Sequence, residues 1–148
     1  MSGTTFSHQK ANSPEAGYID VGLRSFFVYR DTGVTPATNG KLRVQLVRTA
    51  RKSSEAKGGT GFHFHIADIH VVYMVRGWAR FDYDGVDTLV EAGDCVHQRP
   101  GIVHNLYDWS DDMEFYGDHH AGRFRHDRDH AAGRCLTLTM AGGAQSLA

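Results

Sequence analysis

The chain predicts an all-β protein, built as one small barrel or sandwich, on three observations. Its 148 residues are the usual size of one domain and bury roughly two-thirds of the unfolded surface around one core. Its 17 glycines exceed the average usage of about 7% and imply many tight turns. From residue 25 onward, short stretches rich in β-branched and aromatic residues alternate with Gly, Asp, Asn and Pro, the pattern of strands joined by turns.

Residues 1–16 are polar, broken at Ser13 and Pro14 and without periodicity, so they read as a flexible arm. Nine strands are expected after it, at 25–29, 42–49, 62–65, 70–75, 78–83, 88–90, 95–98, 103–107 and 113–116. Asp84 and Gly85 supply the positive-φ residues of a tight hairpin, and Arg76 and Gly77 a second turn. Turn signals at this spacing argue for a sandwich or barrel. A further apolar alternation at 135–140 is a candidate last strand, pairing within the chain or with a second subunit. The chain therefore divides into an arm (1–16), a barrel domain (17–121) and a C-terminal extension (122–148), with no internal repeat and no amphipathic segment long enough for a major helix.

An apolar fraction of 41% and a charged fraction of 22% are ordinary for a globular protein. A net charge of -1 provides no field to attract nucleic acid or an anionic membrane. The acidic cluster of Asp108, Asp111, Asp112 and Glu114 and the basic one of Arg123, Arg125 and Arg128 read as solvated surface. The N-terminus lacks a basic start followed by an apolar stretch, and no run of 18 apolar residues occurs, so a soluble cytoplasmic protein is expected. Cys95 and Cys135 form no CxxC and read as reduced structural thiols.

Ten histidines decide nothing by number, because His also serves as a surface or satisfied core residue. Spacing carries the argument. In a strand, His63 and His65 point to one face and the flanking phenylalanines to the other. Two imidazoles on one face chelate a metal readily. His70 opens the next strand on the face of Val72 and Met74, away from Val71, Tyr73 and Val75, and a polar side chain heading an apolar strand needs a partner. His119, His120, His126 and His130 are unevenly spaced and read as surface, and His8 lies in the arm.

Over residues 58–116 the sequence resembles the cupin superfamily. The first cupin motif has a glycine-rich start, HxH, a Glu a few residues on and a later Gly; here Gly58, Gly59, Thr60, Gly61, Phe62, His63, Phe64 and His65 are followed by His70 at the Glu position and then Gly77. The second motif reads Gly-Asp, a short strand, Pro-Gly and His three residues later; here these are Gly93, Asp94, Pro100, Gly101 and His104. The departures are His70 for Glu, Arg99 for a common Pro and Asp108 for a frequent Asn.

The resemblance implies a cupin jelly-roll β-barrel with a divalent transition metal inside, held by His63, His65, His70 and His104. An imidazole in place of the carboxylate leaves the site about one positive charge richer, which favours an anionic or enolised ligand. The nitrogen-rich set suits zinc, iron or nickel over magnesium or calcium. A barrel with vestigial histidines is the alternative. Alternation places Gln98 with Val96 on the barrel face and His97 outward; the Gln98 amide oxygen either coordinates the metal or is satisfied near the barrel mouth.

Four imidazoles on an octahedral ion leave two positions, enough for dioxygen and substrate. With Gln98 bound one remains, which suits Lewis-acid chemistry. The expected function is thus a metal-dependent enzyme acting on a small enolisable, phenolic or polyketide-like compound, similar to small cupin dioxygenases or cupin polyketide cyclases. Tyr73, Glu114 and Tyr116, with Asp68 in the loop before His70, are the candidate bases. Phe62, Phe64, Trp78 and Phe81 read as core or interface. The other class is a non-catalytic ligand- or metal-binding module, although no DNA-reading segment accompanies it. Expected partners are a small-molecule substrate and a second copy in a homodimer, but neither nucleic acid nor membrane.

Overall fold

The computed structural model describes residues 3–20 and 24–120, with side chains up to Gly117. It contains eight strands: β1 (Phe27–Asp31), β2 (Leu42–Thr49), β3 (His70–Arg76), β4 (Trp78–Tyr83), β5 (Val86–Glu91), β6 (Cys95–His97), β7 (His104–Trp109) and β8 (Glu114–His120). They form two antiparallel sheets, ordered β1-β2-β8-β3-β6 and β5-β4-β7. The only α-helix among the described residues, α1 (Val34–Ala37), is a single turn. The all-β prediction holds, and β2 and β4 occupy the predicted residues.

Asp84 (φ 51°) and Gly85 (φ 85°) turn β4 into β5, as predicted. The predicted strand at 62–65 is not one. Its backbone meets the 101–106 segment at isolated points: Thr60 N–H donates to Leu106 O (2.9 Å), His63 and His104 exchange both backbone hydrogen bonds (3.0 and 2.8 Å), and Gly101 N–H donates to His65 O (3.1 Å). Between the first two points three residue steps oppose two, so the ladder slips as at a bulge. The cause is the glycine-rich start: Gly58, Gly59 and Gly61 all have positive φ. At Gly59 an added Cβ would lie 2.1 Å from Leu106 O, so only glycine lets the two backbones approach this closely.

The core comprises Phe27, Val47, Met74, Ala79, Phe81, Val90, Leu106, Trp109 and Met113, among others. Phe26 stacks on Trp109 at 5.2 Å between ring centroids, and the Trp109 indole N–H donates to Thr49 Oγ1 (3.0 Å), which satisfies its one polar atom. Phe27, Val47, Phe81 and Leu106 also line the cavity between the sheets, so the packed core forms its apolar wall. The arm runs beside α1, where Thr5 N–H donates to Ala37 O (2.8 Å) and the Asn39 amide to Gly3 O (2.9 Å). No described helix is long and apolar enough to cross a membrane. The candidate strand at 135–140, Cys135 and Arg123, Arg125 and Arg128 lie outside the described residues.

Candidate metal centre

The sheets enclose a cavity of about 300 Å³, into which His63, His65, His70, His104 and Gln98 project. Three segments deliver them. The glycine turns place His63 and His65; the backbone bridge sets His104, the first residue of β7, directly opposite His63; and His70 opens β3. Alternation along β3 puts His70 with the buried Val72 and Met74, as expected.

Ligand nitrogens of His63, His65 and His104 all lie within 4.8 Å of one another. The Nδ1 of His63 approaches Gly61 O (2.7 Å) and that of His104 approaches Ile102 O (3.0 Å). Each Nδ1 carries the proton in such a contact, leaving the Nε2 lone pair for a metal, the usual support for a ligating histidine. Burial pushes the His104 imidazole below its ordinary value, against the opposing effects of the Ile102 hydrogen bond and the Asp84 charge. The neutral form that ligation requires is thereby favoured.

The structure brings His70 against His65 rather than into the three-histidine group, with their Nδ1 atoms 3.0 Å apart. Two ligand nitrogens about 2.1 Å from one ion and at right angles are separated by about 3 Å. The same distance also fits a hydrogen bond between neutral rings, one Nδ1 donating and the other accepting.

Gln98 is 3% exposed. Its amide N–H donates to the Tyr83 hydroxyl (2.6 Å), and its Oε1 is buried without a hydrogen-bond partner. A buried amide oxygen in that state is rare, and Gln98 lines the same cavity as the histidines. The donor set therefore fits a transition metal on its own chemistry. Burial pushes the Tyr83 hydroxyl up to about 12, only partly offset by the Gln98 hydrogen bond, so Tyr83 stays protonated and holds the amide in place.

The candidate bases are placed elsewhere. Val72 of β3 and Phe115 and Gly117 of β8 line the cavity, so Tyr73, Glu114 and Tyr116 lie on the opposite face of the same sheet, where Tyr73 pairs with Tyr116 in register. Glu114 is buried there in an ionic cluster, accepting from Tyr18, Arg76 (2.6 Å) and Arg48 (3.3 Å). Burial raises its carboxyl, but the Tyr18 hydrogen bond and the Arg48 and Arg76 charges outweigh that and hold it below the ordinary value. Glu114 is thus buried in an ion-paired cluster outside the cavity, not the solvated surface residue expected. Asp68 is exposed outside the cavity.

Tyr29, Arg24, Arg43 and Gln45 do line it, and sequence reasoning missed them. On β2 the alternation is masked, because Val47 on the cavity face and Val44 on the other are both buried and α1 packs against this strand. Phe81 sits in the core as expected, whereas Phe62 is 53% exposed.

A two-sheet antiparallel barrel with histidines and an amide gathered inside defines a jelly-roll protein with an internal metal-type site. No protein-family model and no curated protein matches the sequence, but solved structures do. The polyketide cyclase RemF from Streptomyces resistomycificus aligns with TM-score 0.58 and 14% identity over 76% of this chain and 79% of that one. An RmlC-like cupin from Shewanella frigidimarina aligns at 0.54 and 18% over 79% and 94%. Fe(II)-HppE with an alternative substrate aligns at 0.59 and 12% over 77% of this chain, which spans only 60% of that one. The chain has the cupin fold.

Proposed function

We propose that the protein is a metal-dependent enzyme that acts as a Lewis acid on a small enolisable, phenolic or polyketide-like compound, in a redox-neutral cyclisation or isomerisation. His63, His65, His70 and His104 hold the ion, with Gln98 Oε1 as the oxygen donor. The unpartnered Gln98 oxygen is the observation that carries this reading, because a fifth protein ligand leaves one position for substrate. Bound there, zinc, iron or nickel would polarise a substrate oxygen and lower the pKa of the adjacent carbon or hydroxyl.

The chain's own residues supply the rest. Gly61 O and Ile102 O hold His63 and His104 in the ligating tautomer. Tyr83 orients the Gln98 amide. Phe27, Phe81, Leu106 and Phe115 provide an apolar wall that limits water around the reacting atoms. The likeness to the cyclase RemF supports the reading at the level of fold.

A dioxygenase is the second reading. The Gln98 amide turned by 180° would accept from Tyr83 instead, withdrawing the oxygen ligand and leaving two positions open. Purified protein analysed for metal and then assayed with diketones, phenols and polyketide-like compounds separates the readings. Turnover under argon supports the Lewis-acid enzyme, turnover only in air supports the dioxygenase, and none with any metal supports a binding module.

A further inference from the structure

Glycine is costly inside a strand, because it loses the most backbone freedom on folding and packs no side chain. Among the described glycines only Gly117 of β8 lies within a strand. Such a glycine has three ordinary causes: a bulge or sharp bend, the close approach of another backbone, or a ligand lying against the strand. The first two fail here. Gly117 pairs with Gln45 of β2 and Val72 of β3, and its neighbours Tyr116 and Asp118 pair in step on both sides, so the ladder is regular at this point. Its φ lies outside the left-handed region, and an added Cβ would meet only the Phe115 ring among the described residues, in ordinary contact at 3.7 and 4.0 Å. At Gly59 and Gly77, by contrast, an added Cβ would lie 2.1 and 2.2 Å from its nearest neighbour. Neither conformation nor crowding demands a glycine at position 117.

The third cause matches its position. Gly117 lines the cavity, as do its cross-strand partners Gln45 and Val72. His70 pairs with His119, two residues further along β8, so Gly117 is the diagonal neighbour of His70, about 7–8 Å away. The missing side chain leaves a bare stretch of backbone in the cavity wall beside the histidines, bordered by the Phe115 ring. Phe27 and Phe81 line the same cavity, and aromatic walls favour a flat ring through offset or edge contacts. At about 300 Å³ the cavity is at the small end of ligand sites, so the room given up by one side chain decides whether a second ring fits.

We propose that Gly117 is a specificity-determining residue: the gap at its α-carbon seats the second ring of a flat, fused-ring phenol whose oxygen faces the histidines, and the size of residue 117 sets how many rings the cavity accepts. The direction of the phenol oxygen rests on the metal-centre reading. The selection by size does not.

The test is calorimetric titration of chelator-stripped and zinc-reconstituted protein with phenol, 2-naphthol and decahydro-2-naphthol, a non-planar analogue with the same carbon skeleton. In both forms wild type is expected to bind 2-naphthol at least about tenfold more tightly than either of the others. Gly117→Val should lose at least about tenfold in 2-naphthol affinity while its phenol affinity changes by less than about threefold, and Gly117→Ala should fall between it and wild type. Gly117→Ala should also melt no lower than wild type, because alanine costs less than glycine inside a strand; a lower melting temperature would show that the fold itself requires the glycine and would overturn the proposal. Wild-type 2-naphthol affinity in Gly117→Val, equal losses for phenol and 2-naphthol, decahydro-2-naphthol bound by wild type as tightly as 2-naphthol, or no binding of 2-naphthol to either form would each overturn it as well. Zinc that fails to bind while stripped protein still shows the size selection would refute the metal reading and leave Gly117 in its role. If Gly117→Val fails to fold, Gly117→Ala carries the test, since its one added carbon makes only the ordinary contact with Phe115.

Discussion

Replacing Gln98 with leucine separates two effects of opposite sign. An unpartnered buried oxygen costs about 1–3 kcal/mol, and Gln98→Leu removes one from wild-type protein. It also strips the Tyr83 hydroxyl of its 2.6 Å amide partner, leaving a buried group at a similar cost of about 1–3 kcal/mol. In chelator-stripped protein the two nearly cancel, so the expected change is under about 1 kcal/mol, or about 2–4 °C in Tm at most for a chain of this size. Combining Gln98→Leu with Tyr83→Phe removes the second unsatisfied group, and this double variant should be about 1 kcal/mol more stable than stripped wild type. With metal the sign reverses: only wild type supplies the oxygen ligand, and the single variant should bind zinc at least about tenfold more weakly. Urea denaturation of stripped protein and calorimetric titration with zinc read the two quantities separately. A loss of about 2 kcal/mol or more in the stripped single variant would show that the oxygen is already satisfied. Wild-type zinc affinity would show that it is no ligand.

Zinc at about 100 times its Kd should stabilise stripped protein by about 2.7 kcal/mol, which is roughly 5–11 °C in Tm; His63→Ala and His104→Ala should abolish that rise in a thermal-shift assay. Glu114→Gln should cost about 1 kcal/mol at pH 7 after screening of its half-exposed arginine partners. The folded-state carboxyl lies below its ordinary 4.5, so its contribution is present above that pH and lost as pH falls through the folded value; acid-denaturation curves of wild type and Glu114→Gln should converge below 4.5, with zinc affinity unchanged. Gly59→Ala adds a carbon 2.1 Å from Leu106 O at φ +72°, and denaturant unfolding should show a loss of at least about 2 kcal/mol, accompanied by weaker zinc binding because the same turn sets His63.

The strands that could be read from sequence are those with one buried face and a defined end. In β4, Ala79, Phe81 and Tyr83 are buried while Trp78, Arg80 and Asp82 are not, and the Asp84–Gly85 turn stops the strand. The HxH spacing predicts a strand with His63 and His65 on one face. Both do line the cavity, but through a slipped bridge to His104 that depends on Gly59 lying against the Leu106 backbone. That contact joins residues 47 apart in the chain, and no local pattern encodes it.

The metal-type residues were legible because imidazole chemistry and motif spacing agree. The faces of Tyr73, Glu114 and Tyr116 were not, because a tyrosine or glutamate on a strand says nothing of its face until one neighbour is anchored. His70 provides that anchor on β3: three residues on, Tyr73 must point the other way. On β8 the neighbours Phe115 and Tyr116 are both aromatic, and only pairing with β3 shows that Phe115 and Gly117 share the cavity. Glu114 is thereby turned outward, and no described carboxylate remains to act as base inside. Burial raises the Tyr29 hydroxyl despite the opposing charges of Arg24 and Arg43. Tyr29, which lines the cavity, thus keeps its proton at neutral pH and is a hydrogen-bond donor rather than a base.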